Sequence, residues 1–255
     1  MLQRFQEFSF LFQELAKRDF KKKYKRTVLG MLWSVLSPLL SLLVMRMVFT
    51  HFFGSAIPHY TTYLFAGNIV YSYFTEATNG GMSALVANKD IFSKVNLPKY
   101  LFVFSSNVSS FINFALTLAV FFLFAALDGV TFTWLFFMML FSILCQLVFN
   151  VGMSLILSAA ELFFRDTAYL YRVFTLLLMY LSAIFYDVAT FPASVQRLFL
   201  INPIYVYIKF IRLIVIEGTL PSPEYFLLCV LYAGVALSLG LWIYKKYNNR
   251  FLYYV

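Results

Sequence analysis

Six stretches of this 255-residue chain are long and apolar enough to cross a lipid bilayer as helices. A helix that rises about 1.5 Å per residue needs about 20 apolar residues to cross roughly 30 Å of hydrocarbon. The stretches lie at 29–52, 61–86, 101–126, 133–160, 168–188 and 224–244. Hydrophobic residues make up 62% of the chain and charged residues only 12%. The sequence therefore predicts an all-α integral membrane protein with six transmembrane helices.

The first 27 residues differ from the rest of the chain, because their apolar positions alternate with polar ones. Apolar side chains recur at helical spacing among glutamine and glutamate residues: Leu2, Phe5, Phe8, Phe12, Leu15 and Phe20. This pattern predicts an amphipathic helix on the membrane surface over 1–27, followed by a six-span domain over 28–255. A cleaved secretory signal is the alternative, but its charges would precede a short apolar core, whereas here the amphipathic turns come before the charges.

Lysine and arginine residues predict the orientation of the spans. Seven of the ten residues from 17 to 26 are basic, and further cations follow the second, fourth and sixth predicted spans. The loops at 53–60 and 127–132 contain no lysine or arginine. Because cytoplasmic loops are rich in lysine and arginine, both termini are predicted to be cytoplasmic. The net charge of +9 is explained by this asymmetry, so we expect no nucleic-acid partner.

Residues 198–216 are apolar but do not fit a seventh span, which would place the basic C-terminal tail outside. Asn202 and Pro203 break the helix, and Lys209 and Arg212 would be costly in lipid. We therefore predict a re-entrant helical hairpin on the outer side, within 190–222, between spans five and six. Lys209 and Arg212 either reach the outer headgroups or, with Asn202 and Pro203, form an outer gate for a phosphate-bearing lipid carrier.

The chain lacks the motifs of an ATPase, a hydrolase or a metalloenzyme. No glycine precedes a lysine, so a phosphate-binding GxxxxGK[ST] loop is absent. His51 and His59 stand alone, and Cys145 and Cys229 lie in apolar runs without metal-ligand spacing. We expect no catalytic residue, metal site or cofactor on this chain.

Five segments, in order along the chain, resemble the membrane subunit of type-2 ATP-binding-cassette exporters, in particular those of polysaccharides and teichoic acids. They are RDFKKKYKRTVLGMLWSVLSPLL (18–40), YLFAGNIVYSYF (63–74), NKDIFSKVNLPKYL (88–101), LFFRD (162–166) and INPIYVYIKFIR (201–212). The resemblance implies a homodimeric permease in the bacterial cytoplasmic membrane. It also implies a separate nucleotide-binding subunit, which holds ATP and magnesium, and a lipid-linked polysaccharide such as O-antigen, capsule or teichoic acid as the substrate.

The resemblance also suggests which residues transmit the ATPase's motion. In the family the loop that matches 87–100 is a coupling helix, which makes Asn88, Lys89, Asp90, Phe92 and Lys94 candidates; a plain connector is the alternative. Arg165 and Asp166, between spans four and five, form either a second docking site or a structural turn. Glu161 and Arg165 have the i,i+4 spacing of a helical ion pair.

A glycan exporter would use aromatic rings and polar groups along its substrate channel, because sugar C–H faces lie well on rings. The candidates on span two are Tyr63, Tyr71, Tyr73, Phe74 and Glu76, for which ordinary packing is the alternative. Arg46, in span one, either faces a cavity or extends to the outer interface.

Three other functions are compatible with part of the sequence. An exporter of drugs or small lipids would share the six-span layout. A membrane-embedded glycosyl or phosphoglycosyl transferase would need clustered acidic residues for a metal and a diphosphate, but the eleven Asp and Glu are scattered. A structural scaffold is the third alternative.

Overall fold

The computed structural model describes residues 9–24, 29–30, 32–53, 57–92, 97–248 and 250–252. Throughout these ranges the regular structure is helical. The α-helices are α1 (Ser9–Tyr24), α2 (Leu32–Phe53), α3 (Tyr60–Ala87), α4 (Lys89–Phe92), α5 (Tyr100–Leu127), α6 (Met138–Phe163), α7 (Thr167–Leu181), α8 (Ala193–Phe199), α9 (Pro203–Val215) and α10 (Pro223–Tyr247). Short 3-10 helices occur at Trp134–Phe137, Val188–Thr190 and Arg250–Leu252.

Among the residues that the structure describes, four helical segments are both long and apolar enough to cross a membrane. They are Leu32–Phe49, Tyr100–Leu127, Trp134–Phe163 and Pro223–Tyr247, and the bent pair α8–α9 would make a fifth if it is one span. The remaining two predicted spans coincide with α3, which is 28 residues long but rich in polar side chains, and α7, which has 15 residues. The integral membrane fold agrees with the sequence analysis, while the count of six spans stays a prediction.

Both ends of the described chain lie at one end of the helix bundle. Arg18 of α1 donates to the Asn88 side chain just after α3 at 2.7 Å, and Lys99 donates to the Asn248 carbonyl beyond α10 at 2.6 Å. At the opposite end, the Thr62 hydroxyl donates to the Asp128 carboxylate at 2.6 Å. The fold thus gathers the basic segments that the sequence scatters along the chain.

Helix α1 covers the beginning of α5, as a surface helix tied to the bundle would. Leu15 is buried, and the Asp19 carboxylate accepts a hydrogen bond from the Ser105 hydroxyl at 2.7 Å. The rest of the predicted amphipathic segment, residues 1–8 and 25–27, lies outside the described ranges.

Helix α3 is the centre of the bundle and packs against α2, α5, α6 and α9. Its partner α6 carries a polar side chain at every fourth residue, and all five are buried: Ser142, Gln146, Asn150, Ser154 and Ser158. Gln146 donates to the Val70 carbonyl at 2.8 Å, and Ser154 donates to the Ala77 carbonyl at 3.1 Å. Since lipid is as apolar as leucine, such hydrogen bonds help to hold helices together in a membrane. We call these five residues the polar ladder.

Glycines allow α6 and α10 to approach closely. A methyl group at Gly152 would overlap the backbone of Ala236 and Leu237, and one at Gly240 would lie 2.8 Å from the Gly152 carbonyl oxygen. A methyl group at Gly234, also in α10, would meet no atom within 4 Å. Small residues at a helix interface are a usual means of tight packing in membranes.

We expect Gly152→Ala to destabilise the protein by about 1–3 kcal/mol, because the added methyl group must push α10 away. Gly234→Ala is the matched control, since it replaces a helical glycine where space is open and should be neutral or slightly stabilising. The measurement is the midpoint of thermal unfolding of both purified variants in the same detergent. Equal midpoints would contradict the close packing of α6 on α10.

Candidate transport sites

The first candidate site is the docking edge, which we define as Asn88 with α4, together with Arg165 and Asp166. Asn88 is buried, and its side chain donates to the Ala84 carbonyl at 2.8 Å while accepting from Arg18 at 2.7 Å. Lys89 and Asp90 are exposed on the single turn of α4. Asn88 therefore fixes the turn of α4 to α1 and α3. The exposed surface of this turn carries the two charged side chains, Lys89 and Asp90.

The other residues predicted for this loop are only partly described. Phe92 ends α4, but its side chain is not among those described, and Lys94 lies in 93–96, outside the described ranges.

Arg165 and Asp166 are both exposed in the short link between α6 and α7. The expected helical pair between Glu161 and Arg165 is wrong, because α6 ends at Phe163 and Arg165 lies beyond it. Glu161 instead accepts a hydrogen bond from the backbone N–H of Ala168 at 2.9 Å, which ties the start of α7 to α6.

The second candidate site is a cavity of about 410 Å³ between α2, α3 and α5, which we call the polar cavity. Three helices contribute polar side chains to it, each at helical spacing: Ser34, Ser37 and Ser41 from α2, Asn68, Ser72 and Glu76 from α3, and Asn113 and Thr117 from α5. Trp33, Pro38, Ile69, Tyr73 and Phe114 complete its wall. Two of these helices, α2 and α5, contain segments apolar enough to cross a membrane.

Two of the five residues predicted for a substrate channel line the polar cavity. Glu76 accepts a hydrogen bond from the Asn113 side chain at 2.6 Å. The Tyr73 ring stacks on the Phe114 ring with centroids 4.4 Å apart. Tyr73 and Glu76 are three residues apart on α3, so they share one side of the helix.

The other three predicted channel residues pack in separate places. Phe74 is buried and stacks on Phe149 with centroids 6.0 Å apart, and the Tyr71 hydroxyl donates to the Thr175 carbonyl of α7 at 2.6 Å. The Tyr63 hydroxyl donates to the Tyr186 carbonyl at 2.6 Å, near the opposite end of α3. Because α3 turns about 100° per residue, these rings point to different neighbours and form no common surface.

The third candidate site is the arginine clamp, which we define as Arg212 with Tyr63, Ala183 and Ile184. The buried Arg212 guanidinium donates to the Ala183, Ile184 and Tyr63 carbonyls at 2.7, 2.8 and 3.1 Å. Its central carbon lies 3.3 Å from the centroid of the Tyr63 ring. Gly67 leaves room for it, since a methyl group there would lie 2.8 Å from Nη2. The clamp provides hydrogen-bond donors for carbonyl groups of the turn that follows α7. Lipid chains could not provide such donors.

The clamp changes the interpretation of the two cations in the predicted gate. Arg212 is only 3% exposed and its donors bind backbone carbonyls, which disagrees with the first of the two alternatives, an arginine that extends to the headgroups. Lys209 pairs with Glu217 at 2.7 Å. Both cations line a cavity of about 210 Å³ together with Asp187. A gate function for this region stays a prediction.

The predicted break in residues 198–216 is present. Helices α8 and α9 meet at an angle of 107°, and Pro203 is the first residue of α9. The Asn202 side chain accepts from the Ile204 N–H at 3.0 Å and donates to the Ser182 hydroxyl at 3.0 Å. Asn202 thus caps α9 and links it to the end of α7.

Sequence reasoning missed the polar ladder, the serines of α2 and the carbonyl partners of Arg212. The spacing of four from Ser142 to Ser158 is visible in the sequence and could have identified the ladder. The partners of Arg212 carry no sequence signal, because backbone carbonyls are present at every residue.

We expect Arg212→Ala to destabilise the protein by at least about 1–3 kcal/mol, the cost of one orphaned buried polar group. Arg212→Lys should be intermediate, because lysine cannot reproduce the planar fork. Lys209→Ala is the control, since a partly exposed ion pair contributes about 0–1 kcal/mol. Thermal unfolding of the purified variants in detergent measures the difference. Equal losses for Arg212→Ala and Lys209→Ala would show that the clamp contributes no stability.

Comparison with known proteins places these features in one family. The family model of the ABC-2 type transporter matches residues 10–216. The chain is 29% identical over 241 residues to the O-antigen export system permease protein RfbA of Klebsiella pneumoniae, covering 93% of this chain and 92% of the relative. It is 27% identical over 212 residues to a protein of the same name from Myxococcus xanthus, covering 82% of each chain. The chain belongs to the ABC-2 type transporter family.

Proposed function

We propose that this chain is the permease subunit of an ATP-driven exporter, which moves a lipid-linked polysaccharide across the bacterial cytoplasmic membrane. The observation that carries the proposal is the similarity to O-antigen export permeases along nearly the whole chain. The polar cavity supports it, because serine, asparagine and glutamate suit a hydroxyl-rich substrate. An exporter of drugs or small lipids is the alternative, but apolar substrates would make little use of the polar groups that line this cavity.

A separate ATPase subunit, which holds ATP and magnesium, binds at the docking edge. The exposed charges of Lys89 and Asp90 lie on a helical turn fixed by Asn88, so a push on α4 passes to α1 and α3. Arg165 and Asp166 lie at the end of α6, which runs parallel to α3, and so belong to the same end of the bundle. No cofactor and no covalent chemistry are expected on this chain.

Two copies of the chain form the transport unit. Helix α7 faces the rest of the chain mainly through Tyr171, Thr175 and Leu178. Eight other large apolar side chains of α7 are at least half exposed: Tyr169, Leu170, Val173, Phe174, Leu176, Leu177, Tyr180 and Leu181. A cavity of about 410 Å³ within one protomer is too small for a polysaccharide chain, so we place the main channel between two copies. Membrane lipids cover the remaining apolar surface.

The end of the bundle that carries α1, α4 and the end of α10 is cytoplasmic. The positive-inside tendency supports this orientation, because the basic residues of the chain concentrate there. This orientation requires six spans. In it, α3 and α7 cross the membrane inside the assembly, and α8–α9 forms the outer re-entrant hairpin.

Charge reversal at the docking edge should separate the permease from its ATPase. In the double variant Lys89→Glu, Asp90→Lys we expect weaker co-purification of the ATPase, or ATP hydrolysis without export, at a normal membrane level. Lys245→Glu is the matched control, because Lys245 is exposed at the same end of the bundle but outside the docking edge. The measurements are pull-down of the tagged permease and immunoblots of surface polysaccharide. Full export by the double variant would contradict the proposed docking role.

The topology is tested by cysteine labelling in a Cys145→Ala, Cys229→Ala background. We expect a membrane-impermeant maleimide to label Ser222→Cys on intact cells, and Asn248→Cys only after permeabilisation. Both positions are exposed in the structure. Labelling of Asn248→Cys on intact cells would overturn the orientation.

A further inference from the structure

The polar cavity has an unusual charge balance for a site within membrane-spanning helices. Its described lining contains one carboxylate, that of Glu76, together with two amides and several hydroxyls, and includes no lysine, arginine or histidine. A phosphate or pyrophosphate group would meet an acidic side chain with no cation to offset it. A wholly apolar ligand could not use the hydrogen-bonding capacity that the carboxylate, amide and hydroxyl groups offer to the cavity. The lining therefore fits a neutral ligand with many hydroxyl groups.

The carboxylate and an amide are held together at the cavity wall. Asn113 donates to Glu76 at 2.6 Å, which fixes the carboxylate beside α5. A carboxylate has about four acceptor positions and an amide side chain both donates and accepts. This pair can bind two neighbouring hydroxyl groups of a sugar ring, which act as donors and acceptors in the same way.

The opposite wall of the cavity is α2, in which Pro38 removes one backbone hydrogen bond. Pro38 has no N–H, so the Ser34 carbonyl lacks the usual helical donor at this position. The Thr117 hydroxyl of α5 donates to that carbonyl at 3.3 Å. This wall thus includes a polar backbone carbonyl group, and every serine of α2 lines the cavity.

Aromatic rings complete the environment that a sugar ring requires. The Tyr73 ring is held against Phe114 beside Glu76, and Trp33, on α2, is 43% exposed. The volume of about 410 Å³ lies within the usual range of roughly 300–1,000 Å³ for small-ligand pockets. It far exceeds the roughly 10–15 Å³ that a single buried water needs.

We propose that the polar cavity of each protomer binds one uncharged sugar unit of the exported chain. Glu76 and Asn113 bind its hydroxyl groups, and Trp33 covers one face of its ring. The inference rests on the proposed function as a polysaccharide exporter. It adds that sugars are recognised inside a single protomer, between α2, α3 and α5, and that this site selects neutral sugars and not the phosphate of a lipid carrier.

The first test uses Trp33 as the reporter, in a variant in which Trp134 and Trp242 are replaced by phenylalanine. The purified protein in lipid nanodiscs is titrated with glucose, galactose, mannose, rhamnose, N-acetylglucosamine and their disaccharides, and separately with inorganic pyrophosphate. We expect a saturable change of fluorescence with at least one neutral sugar and none with pyrophosphate. Glu76→Gln should weaken the sugar affinity about tenfold or more. Ser83→Ala, exposed on α3 outside the cavity, is the unchanged control.

The second test keeps all three tryptophans and uses a single introduced cysteine in the cavity. Ser72→Cys, in the background without Cys145 and Cys229, reacts with a small water-soluble maleimide after the protein has folded. The sugar that binds should slow this reaction about tenfold at ten times its dissociation constant, and Ser83→Cys should react at an unchanged rate. No response of Trp33 to any sugar, or a response to pyrophosphate, overturns the site, as does a Ser72→Cys rate that no sugar slows.

Export assays in cells separate this inference from the proposed function. If cells that lack the chain still display their surface polysaccharide, the proposed function is wrong whatever the binding results. If the wild-type chain is needed for export but Glu76→Gln and maleimide-modified Ser72→Cys export at the wild-type rate, only the cavity inference is wrong. Membrane levels of each variant are measured by immunoblot.

Discussion

Polar groups inside a membrane must find their partners within the protein, and this constraint organises the structure. Helix α3 carries polar side chains through the middle of the bundle, where hydrocarbon would leave them unpaired. The polar ladder of α6 bonds to its carbonyls on one side, through Gln146 and Ser154. On another side Asn113 binds Glu76. At the end of the bundle opposite Asn88, Arg212 donates to carbonyl groups of the turn that follows α7. Each of these contacts holds a different neighbour against α3.

The same constraint separates the rigid parts of the molecule from those available to partners. Most of α3 is buried by its neighbours, and of the five predicted channel residues Tyr73 and Glu76 line the polar cavity, while the others pack against neighbouring elements. In contrast, Lys89 and Asp90 are exposed on a turn that Asn88 anchors, and α7 leaves most of its apolar surface uncovered. In the proposed assembly the ATPase subunit binds the first surface and a second copy of the chain binds the other, while the buried hydrogen bonds keep each protomer intact.

Several local features could be predicted because they depend on neighbouring residues. Asn202 and Pro203 end one helix and cap the next whatever surrounds them, and the 107° bend is found there. The turn of α4 lies within 87–100, the loop for which the family resemblance implies a coupling helix. The pair of Glu161 and Arg165 failed, because helical spacing applies only within a helix and α6 ends at Phe163. Of the five channel candidates, only two line the polar cavity. Helical spacing shows which side of a helix a residue occupies, but not which neighbouring element covers that side.

The sequence by itself determined that this chain is a helical membrane protein, because apolar length and the positions of lysine and arginine act on each segment separately. It also determined the breaks, through residues whose backbone preferences are local. Only the tertiary structure decided which polar residues share a cavity and which are bonded within the core. Glu76 and Asn113 are 37 residues apart, and Arg212 lies 149 residues from Tyr63. Such pairs form through the packing of whole helices, and the carbonyl groups that bind Arg212 are common to every residue, so no pattern along the chain could identify them.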